Sequence, residues 1–359
     1  MAFGFGRLPG ELRDFEVYWT AAGRALASEP LYRTADGHYQ FKYLPAFALL
    51  AGPVALVALP TAKALWFAVS AALLVAVIGS SIAILPERLR STAFVAAAIV
   101  LTMGKFYGHE LVLGQVNLLF AAIVLFGFLM MRRHRDGSAA VMFVAAMVVK
   151  PYAVLLLPWL VYRRGPATVA PVLLAVVAAL ALPSILYGVG GAIDLHLAWW
   201  TTVTESTAPN LTNADNVSLA GFFAKWLGTG AAATAATAVA SVGLLTLLAL
   251  VILRRDAIAN REMLEGSLLL TAIPLLSPQG WDYVFLVASP AVAFLANYDR
   301  RLPVALRVLC WTALLTIGLS LFDLLGREHY ATFMAWSVIT VCFIILVTGL
   351  ASLRLRRVA

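Results

Sequence analysis

The sequence predicts an all-α fold, a polytopic bundle of membrane-spanning helices, on three observations. The 359 residues are 62% hydrophobic and only 12% charged, with a mean hydropathy of +0.90, far from the balance of a soluble domain. Apolar runs long enough to cross lipid as helices, about 20 residues each, recur along the chain. Basic clusters sit at the ends of those runs, where the positive-inside rule puts them: "RRHR" at 132–135, Arg163 with Arg164, Arg254 with Arg255, Arg300 with Arg301, and "RLRR" at 354–357. The excess of 26 Lys and Arg over 18 Asp and Glu therefore reads as cytoplasmic clusters and not as a nucleic-acid surface. Cys310 and Cys342 both lie within apolar runs, which implies neither a disulfide framework nor a thiolate metal site.

The chain opens "MAFGFGRLPGELRDFE", without the apolar core of a cleavable signal peptide. From Leu12 to Ala27 the residues follow a helical period, with Phe15, Trp19, Ala22 and Leu26 on one side and Arg13, Glu16, Thr20 and Arg24 on another. That pattern predicts an amphipathic helix lying at the membrane interface. Six runs then qualify as spans: Ala64–Leu85, Leu113–Met131, Val169–Tyr187, Ala232–Leu253, Leu302–Leu321 and Ala331–Leu353. Four more are short or broken: Tyr43–Leu59 by Pro45 and Pro53, Ser91–Met103 by its length, Ala139–Val161 by "KPY", and Leu264–Ala296 by "SPQGWDY". The total is roughly ten to twelve membrane segments.

Lipid cannot hydrogen-bond a frayed backbone, so the breaks point to places buried in protein or lining a wet cavity. Between Arg135 and Arg163 the chain must go out and return, which puts Lys150 at an apex away from the basic face. The same logic sends Trp281, Asp282 and the polar stretch 188–230 to that far side. "RLR" at 88–90 reads as cytoplasmic and would put the opening helix inside. A re-entrant Tyr43–Leu59, or an exception at Arg88 and Arg90, returns it to the outer face. Residues 1–42 are then an extracytoplasmic segment carrying the acidic motif, and 43–359 the multi-spanning domain.

Asp14 has two readings: a helix cap favoured by the dipole, or a general base at the water–lipid boundary with Tyr18 and Trp19 as a platform for a sugar or lipid head. Lys150, between apolar residues and beside a proline, either snorkels or faces an anion, and phosphate binding fits better. In "GKFYGHELVLGQVN" (104–117) the polar residues occupy a turn between helices. Lys105 and Glu110 read there as a solvated loop, while Gln115 and Asn117 enter the next run and hydrogen-bond within the bundle. Asn216 or Ser218 would cap a helix. Asp282, flanked by Trp281 and Tyr283, is a functional candidate by its depth. His109, His196 and His329 lack a metal-ligand spacing, and no nucleotide loop or serine elbow is present, so no cofactor is expected and a divalent metal has no support.

Six stretches, taken in order, resemble the membrane enzymes of glycosyltransferase family 87, a branch of the GT-C superfamily. They are "DFEVYWTAAGRALASEPLYR" from Asp14, "FKYLPAFALLAGPVALVALPTAKALWF" from Phe41, "GQVNLL" from Gly114, "VVKPYAVLLLPWLVYRR" from Val148, "NVSLAGFF" from Asn216 and "SPQGWDY" from Ser277. The resemblance implies a GT-C bundle in the cell membrane that transfers a hexose, with inversion, from a polyprenyl-phosphate-sugar to a lipid or glycan acceptor on the extracytoplasmic side. The sugar suggested by the resemblance is mannose. It implies Asp14 as catalytic base, Lys150 and then Lys42 as cations for the donor phosphate, and Trp281, Asp282 and Tyr283 as groups that orient sugar or acceptor. Tyr18, Tyr43, Gln115, Asn117 and Asn216 would complete the substrate cavity. Tyr283 stands where mannosyltransferases of the family often carry a His. Family members usually place a transmembrane helix before the acidic motif, and such a helix upstream of Met1 would remove the topology conflict. A transporter or lipid flippase also uses broken helices, but the absence of a visible inverted repeat and the interfacial place of the acidic motif weigh against it. A non-catalytic membrane scaffold would explain the hydrophobicity but not the gathering of Lys150, Trp281 and Asp282 on the far face.

Overall fold

The computed structural model describes residues 12–254 and 261–355, and the expectations for residues 1–11, Arg255, Arg356 and Arg357 lie outside them. The described residues are helices joined by turns, short 3-10 segments and one isolated β-bridge, so the all-α expectation holds. The helices are α1 (Arg13–Leu26), α2 (Pro45–Leu50), α3 (Gly52–Ala55), α4 (Leu59–Ala83), α5 (Thr92–Leu113) and α6 (Asn117–Arg132). There follow α7 (Asp136–Val149), α8 (Leu156–Arg164), α9 (Val169–Ala181), α10 (Ser184–Glu205), α11 (Leu219–Leu227) and α12 (Ala231–Leu253). The last are α13 (Arg261–Leu276), α14 (Ser289–Asn297), α15 (Val304–Leu319), α16 (Phe322–Ala335) and α17 (Val338–Leu355). The chain forms two compact units interleaved in sequence: Met1–Ala76 with Gly108–Ser206, and Val77–Tyr107 with Thr207–Ala359.

Fewer single helices are long and apolar enough to cross a membrane than the apolar runs suggest, and shorter apolar helices stand beside them. Among the described residues α4, α12 and α17 are long and apolar enough alone, and three bent pairs raise the number to six if each counts as one span. The pairs break where the sequence punctuates its apolar runs. Gly114 turns α5 into α6 through 119°, Pro183 separates α9 from the helix that begins at Ser184 by 89°, and α15 and α16 meet at 105°. The run Ala331–Leu353 is likewise split, with Ser337 at a positive φ of 53° between α16 and α17. Apolar composition marks all these segments but not the angle at each break. The Tyr43–Leu59 run folds as α2 and α3 against α1.

In the first unit α1 buries Phe15, Tyr18, Ala21, Ala22 and Ala25, whereas Trp19 is half-buried and Leu26 is 46% exposed. The stripe is rotated from the expected Phe15–Trp19–Ala22–Leu26 face. Hydrophobic size alone gave too much weight to Trp19 and Leu26; Tyr18 packs edge-on to Phe47 of α2, and Trp19 spends its indole N–H on the Val57 carbonyl at 3.0 Å. Farther along, α6 packs on α7 where Gly127 leaves no room for a side chain, since a Cβ there would lie 2.4 Å from the Phe143 ring. Phe128, Phe143 and Trp159 close into one aromatic cluster with centroids 5.6–6.2 Å apart.

The "KPY" break is present. The helix α7 ends at Val149, Lys150 is extended, and Pro151–Leu155 forms a 3-10 turn into α8. Arg164 returns to donate to the Met131 carbonyl at 2.9 Å and to pair with Asp136 at 3.4 Å. The chain thus leaves and re-enters one basic end, with Lys150 at the opposite one. In the second unit Arg90 pairs with Asp299 at 2.7 Å and Arg301 with Glu87 at 3.3 Å, which gathers the clusters at 88–90 and 300–301 at one end. Arg354 is wholly buried against Glu265 at 2.8 Å and also donates to the Arg254 carbonyl.

The tightest backbone requirement in the first unit falls at Gly114. It has φ +71°, and an added Cβ would meet Leu12 Cδ2 at 2.8 Å and Phe15 Cβ at 3.0 Å. Gly114→Ala is expected to cost about 1–3 kcal/mol from the left-handed conformation alone, read as a lowered unfolding temperature of the purified protein.

Candidate functional site

Two polar clusters are built, one in each unit. The first assembles on the first turn of α1. Leu12 precedes α1 as N-cap residue with no side-chain cap bond, and its N–H donates to the Val112 carbonyl at 3.0 Å, which ties the start of α1 to the end of α5. Asp14 is not the N-cap residue, but it lies in the first turn of α1, where the dipole favours an anion. Its Oδ2 accepts from Gln115 Nε2 at 2.7 Å.

Gln115 is the pivot of this cluster. It is 7% exposed and is delivered by the Gly114 turn, whose carbonyl accepts from Trp66 Nε1 at 2.9 Å. Its amide nitrogen serves Asp14, while its Oε1 accepts from the Tyr18 hydroxyl at 2.9 Å and the Tyr43 hydroxyl at 3.3 Å. The two tyrosine hydroxyls lie 2.7 Å apart. Lys150 Nζ donates to Tyr43 Oη at 3.3 Å and lies 4.8 Å from the centroid of its ring. A continuous chain of contacts therefore joins Lys150 to Asp14 through Tyr43 and Gln115. Tyr18 is buried and enters by its hydroxyl, its ring packing edge-on to Tyr43 and Phe47, so it offers no open platform.

Burial raises the Asp14 pKa above its ordinary 3.8, against the opposing pull of the Gln115 hydrogen bond and of Lys150, His38 and Lys42. Lys42 is lowered by burial, with Asp14 opposing, and its backbone carbonyl accepts from Trp199 Nε1 at 3.2 Å. Asn117 lies one step back. Its Nδ2 donates to Glu110 Oε2 at 2.8 Å, and Glu110 Oε1 also accepts the Leu118 N–H at 2.9 Å. Glu110 is fully buried, not part of a solvated loop, because residues up to Leu113 continue α5 and only 114–116 form the turn. Its signal in the sequence is an acid within an apolar helical run, which is costly unless held.

The second cluster joins "NVSLAGFF" to "SPQGWDY". Asn216 and Trp281 form the isolated bridge, Val217 N–H donates to the Gly280 carbonyl at 2.8 Å, and Asp282 N–H to the Asp215 carbonyl at 3.0 Å. Asn216 is buried and spends its amide nitrogen on the Asn210 and Pro278 carbonyls. Its Oδ1 accepts from Ser218, which in turn caps α11 by accepting from Gly221 N–H at 3.0 Å. Of the two proposed caps, Ser218 is the one used. Glycine is required at 280, where a Cβ would sit 2.4 Å from the Pro274 carbonyl oxygen.

Asp282 is 1% exposed and pairs with Lys105 at 2.9 Å. Lys105 is itself buried and lies 4.9 Å from the Tyr330 ring centroid, so it too leaves the solvated-loop reading. Lys225 donates to the Ala214, Asn216 and Met334 carbonyls, and burial lowers its pKa to about 8. Trp281 and Tyr283 are half-buried. The expected residues thus fall into two groups: Asp14, Tyr18, Lys42, Tyr43, Gln115, Asn117 and Lys150 in the first unit, and Asn216, Trp281, Asp282 and Tyr283 in the second.

Among the described residues no three His, Cys, Asp or Glu side chains are grouped as ligands for a metal ion. The first cluster instead sets a half-buried carboxylate, oriented by an amide, beside a cation, an arrangement able to take a proton from a hydroxyl near an anionic group. No curated protein and no solved structure matches the chain. The family model for glycosyltransferase family 87 matches residues 41–278, taking in Lys42, Tyr43, Gln115, Asn117, Lys150 and Asn216. With that match over well over half of its length, on an all-helical fold with membrane-crossing helices, the chain belongs to glycosyltransferase family 87 and is a membrane glycosyltransferase.

Proposed function

We propose that the protein transfers a hexose, mannose in the first instance, from a polyprenyl-phosphate-sugar to a lipid or glycan acceptor at the extracytoplasmic face of the cell membrane. One observation carries the reading: Asp14, held by Gln115, is linked through Tyr43 to Lys150. Asp14 takes the proton of the acceptor hydroxyl as its oxygen forms a bond to the sugar C1. The C1–O bond to phosphate breaks, and polyprenyl phosphate leaves with the electron pair. A phosphodiester-type leaving group is weakly basic and needs no general acid, so one carboxylate suffices. Lys150, with Lys42 behind it, stabilises the negative charge that gathers on the departing phosphate. Inversion at C1 follows from single displacement.

Supplying membranes that contain the protein with radiolabelled mannose or glucose on polyprenyl phosphate, against the same sugars on a nucleotide, tests this. The expected result is transfer from the lipid-linked donor with release of polyprenyl phosphate. Transfer from the nucleotide sugar alone would overturn it.

The raised pKa of Asp14 makes a second expectation. A base works only when ionised, so kcat/KM should rise with pH through an acid limb that lies above the ordinary Asp range. The Gln115 hydrogen bond favours the carboxylate. Gln115→Leu should therefore move that limb to still higher pH, with the plateau less affected than the limb, as a pH profile of transfer would read.

A further inference from the structure

We propose that the groove on the neighbouring flank of α1 binds the sugar of a glycan or glycolipid acceptor, an inference that rests on the transferase reading. The groove has a volume of about 440 Å³ and lies between α1 and the segment that leads from Asp36 to Phe41. Arg13, Glu16, Thr20 and Arg24 line it from α1, Asp36 and Tyr39 from the facing segment. Their spacing of three, four and four residues puts the four α1 positions on one face of the helix.

The chemistry of the lining selects among ligands. Arg24 holds Asp36 with two hydrogen bonds, at 2.5 and 2.9 Å, and Glu16 is paired with Lys63. Arg13 Nη1 donates to the Tyr39 hydroxyl at 3.3 Å, which holds that ring, 41% exposed, at the rim. Arg24 is committed to Asp36 and Lys63 to Glu16, so the excess of one cation, Arg13, falls short of the cluster of cations that a phosphate calls for. Its charged walls also suit a polyprenyl chain poorly, since apolar ligands take apolar pockets. A dense set of fixed donors and acceptors beside an exposed aromatic ring matches a neutral polyhydroxylated ligand. Hydroxyls can donate to carboxylates and accept from guanidinium groups, while the C–H face of a pyranose lies on Tyr39.

The acceptor, not the donor sugar, is the occupant because of where the groove lies. Val17, one helical turn on from Asp14, lines it, and the facing segment also brings His38 near enough to act on the Asp14 charge. A sugar held there lies within about one helical turn of the proposed base, while Tyr43 and Lys150 take no part in the lining.

The full-length protein is assayed with octyl α-mannopyranoside as acceptor and polyprenyl-phosphate-[³H]mannose as donor, for wild type, Tyr39→Ala and Thr20→Trp. Tyr39→Ala should raise the acceptor KM by about tenfold and Thr20→Trp should abolish transfer to the alkyl mannoside, with the donor KM changed less than about twofold in Tyr39→Ala. An unchanged acceptor KM in Tyr39→Ala, or equal shifts in both KM values, overturns the groove. A diazirine-bearing octyl mannoside separates the failures, because it needs no turnover. Photolabelling of the peptide spanning residues 13–41 in wild type, reduced in Tyr39→Ala and lost in Thr20→Trp, supports the groove even where no transfer is seen and only the transferase reading fails. Labelling elsewhere, or equal labelling in all three proteins, overturns it.

Discussion

Asp14→Asn is expected to lower transfer by about 10²–10⁴-fold, the range that a positioned general base contributes, while the protein inserts and folds as before. The substitution is nearly isosteric, and the Asn carbonyl oxygen still accepts from Gln115 Nε2, the bond that orients the carboxylate at 2.7 Å. What is lost is the proton acceptor. The donor KM should change little, because the cations proposed for the phosphate, Lys150 and Lys42, stay in place; the loss belongs to kcat and kcat/KM together, as for an interaction made only in the transition state. Asp14 is half-buried, so desolvation of the charged form is relieved in the Asn protein and its thermal stability should equal or exceed that of wild type. Activity equal to wild type would remove Asp14 as the base and turn attention to Glu110, a carboxylate joined to this cluster where its backbone carbonyl accepts from the Gln115 N–H at 3.1 Å. Loss of activity together with loss of fold would instead make Asp14 structural.

Much of this cluster was legible in the sequence, because each of its members breaks a local rule. Asp14 stands among aromatics at the start of an amphipathic helix, Lys150 interrupts an apolar run beside a proline, and Gln115 and Asn117 follow a glycine into another. Each is a polar group that needs a partner at that depth, and the partner search is short when the anomalies are few. Lys105 and Glu110 were misread for the same reason in reverse. They lie close to a turn, where charge is usually solvated, whereas α5 runs on to Leu113 and buries both. The register of α1 was also hidden. Periodicity finds a large apolar stripe, but which stripe is buried depends on α2 and α3, which pack on α1. Only one wall of the groove by Tyr39 was visible: the polar side Arg13, Glu16, Thr20 and Arg24 shows in the periodicity of α1, but the return of the segment 34–41 over it does not. Likewise the motifs at Asn216 and Trp281 were each visible, while their pairing is a long-range contact that no local pattern encodes.

Lys105→Met carries the largest expected cost to stability. The Asp282 side chain, 1% exposed, would keep its charge but lose the ammonium 2.9 Å away. Breaking one side of a buried ion pair typically costs about 3–5 kcal/mol, far more than the lost contact itself is worth in net terms, because desolvation of the remaining charge is no longer offset. Removing both charges should cost much less. Lys105→Met with Asp282→Asn is thus expected to recover most of the unfolding temperature lost in the single variant, and a thermal melt of the two proteins in the same detergent reads the difference directly. The rescued protein then decides what Asp282 is for. If the carboxylate only holds "SPQGWDY" against the loop that precedes α11, a job its backbone N–H already shares by donating to the Asp215 carbonyl at 3.0 Å, the double variant should transfer sugar at close to the wild-type rate. If Asp282 orients sugar or acceptor, the double variant will be folded and slow, with the defect in kcat/KM and not in the melt. A double variant no more stable than Lys105→Met would mean that the ammonium stabilises the fold mainly through Tyr330, whose ring centroid lies 4.9 Å away, and that the ion pair is incidental.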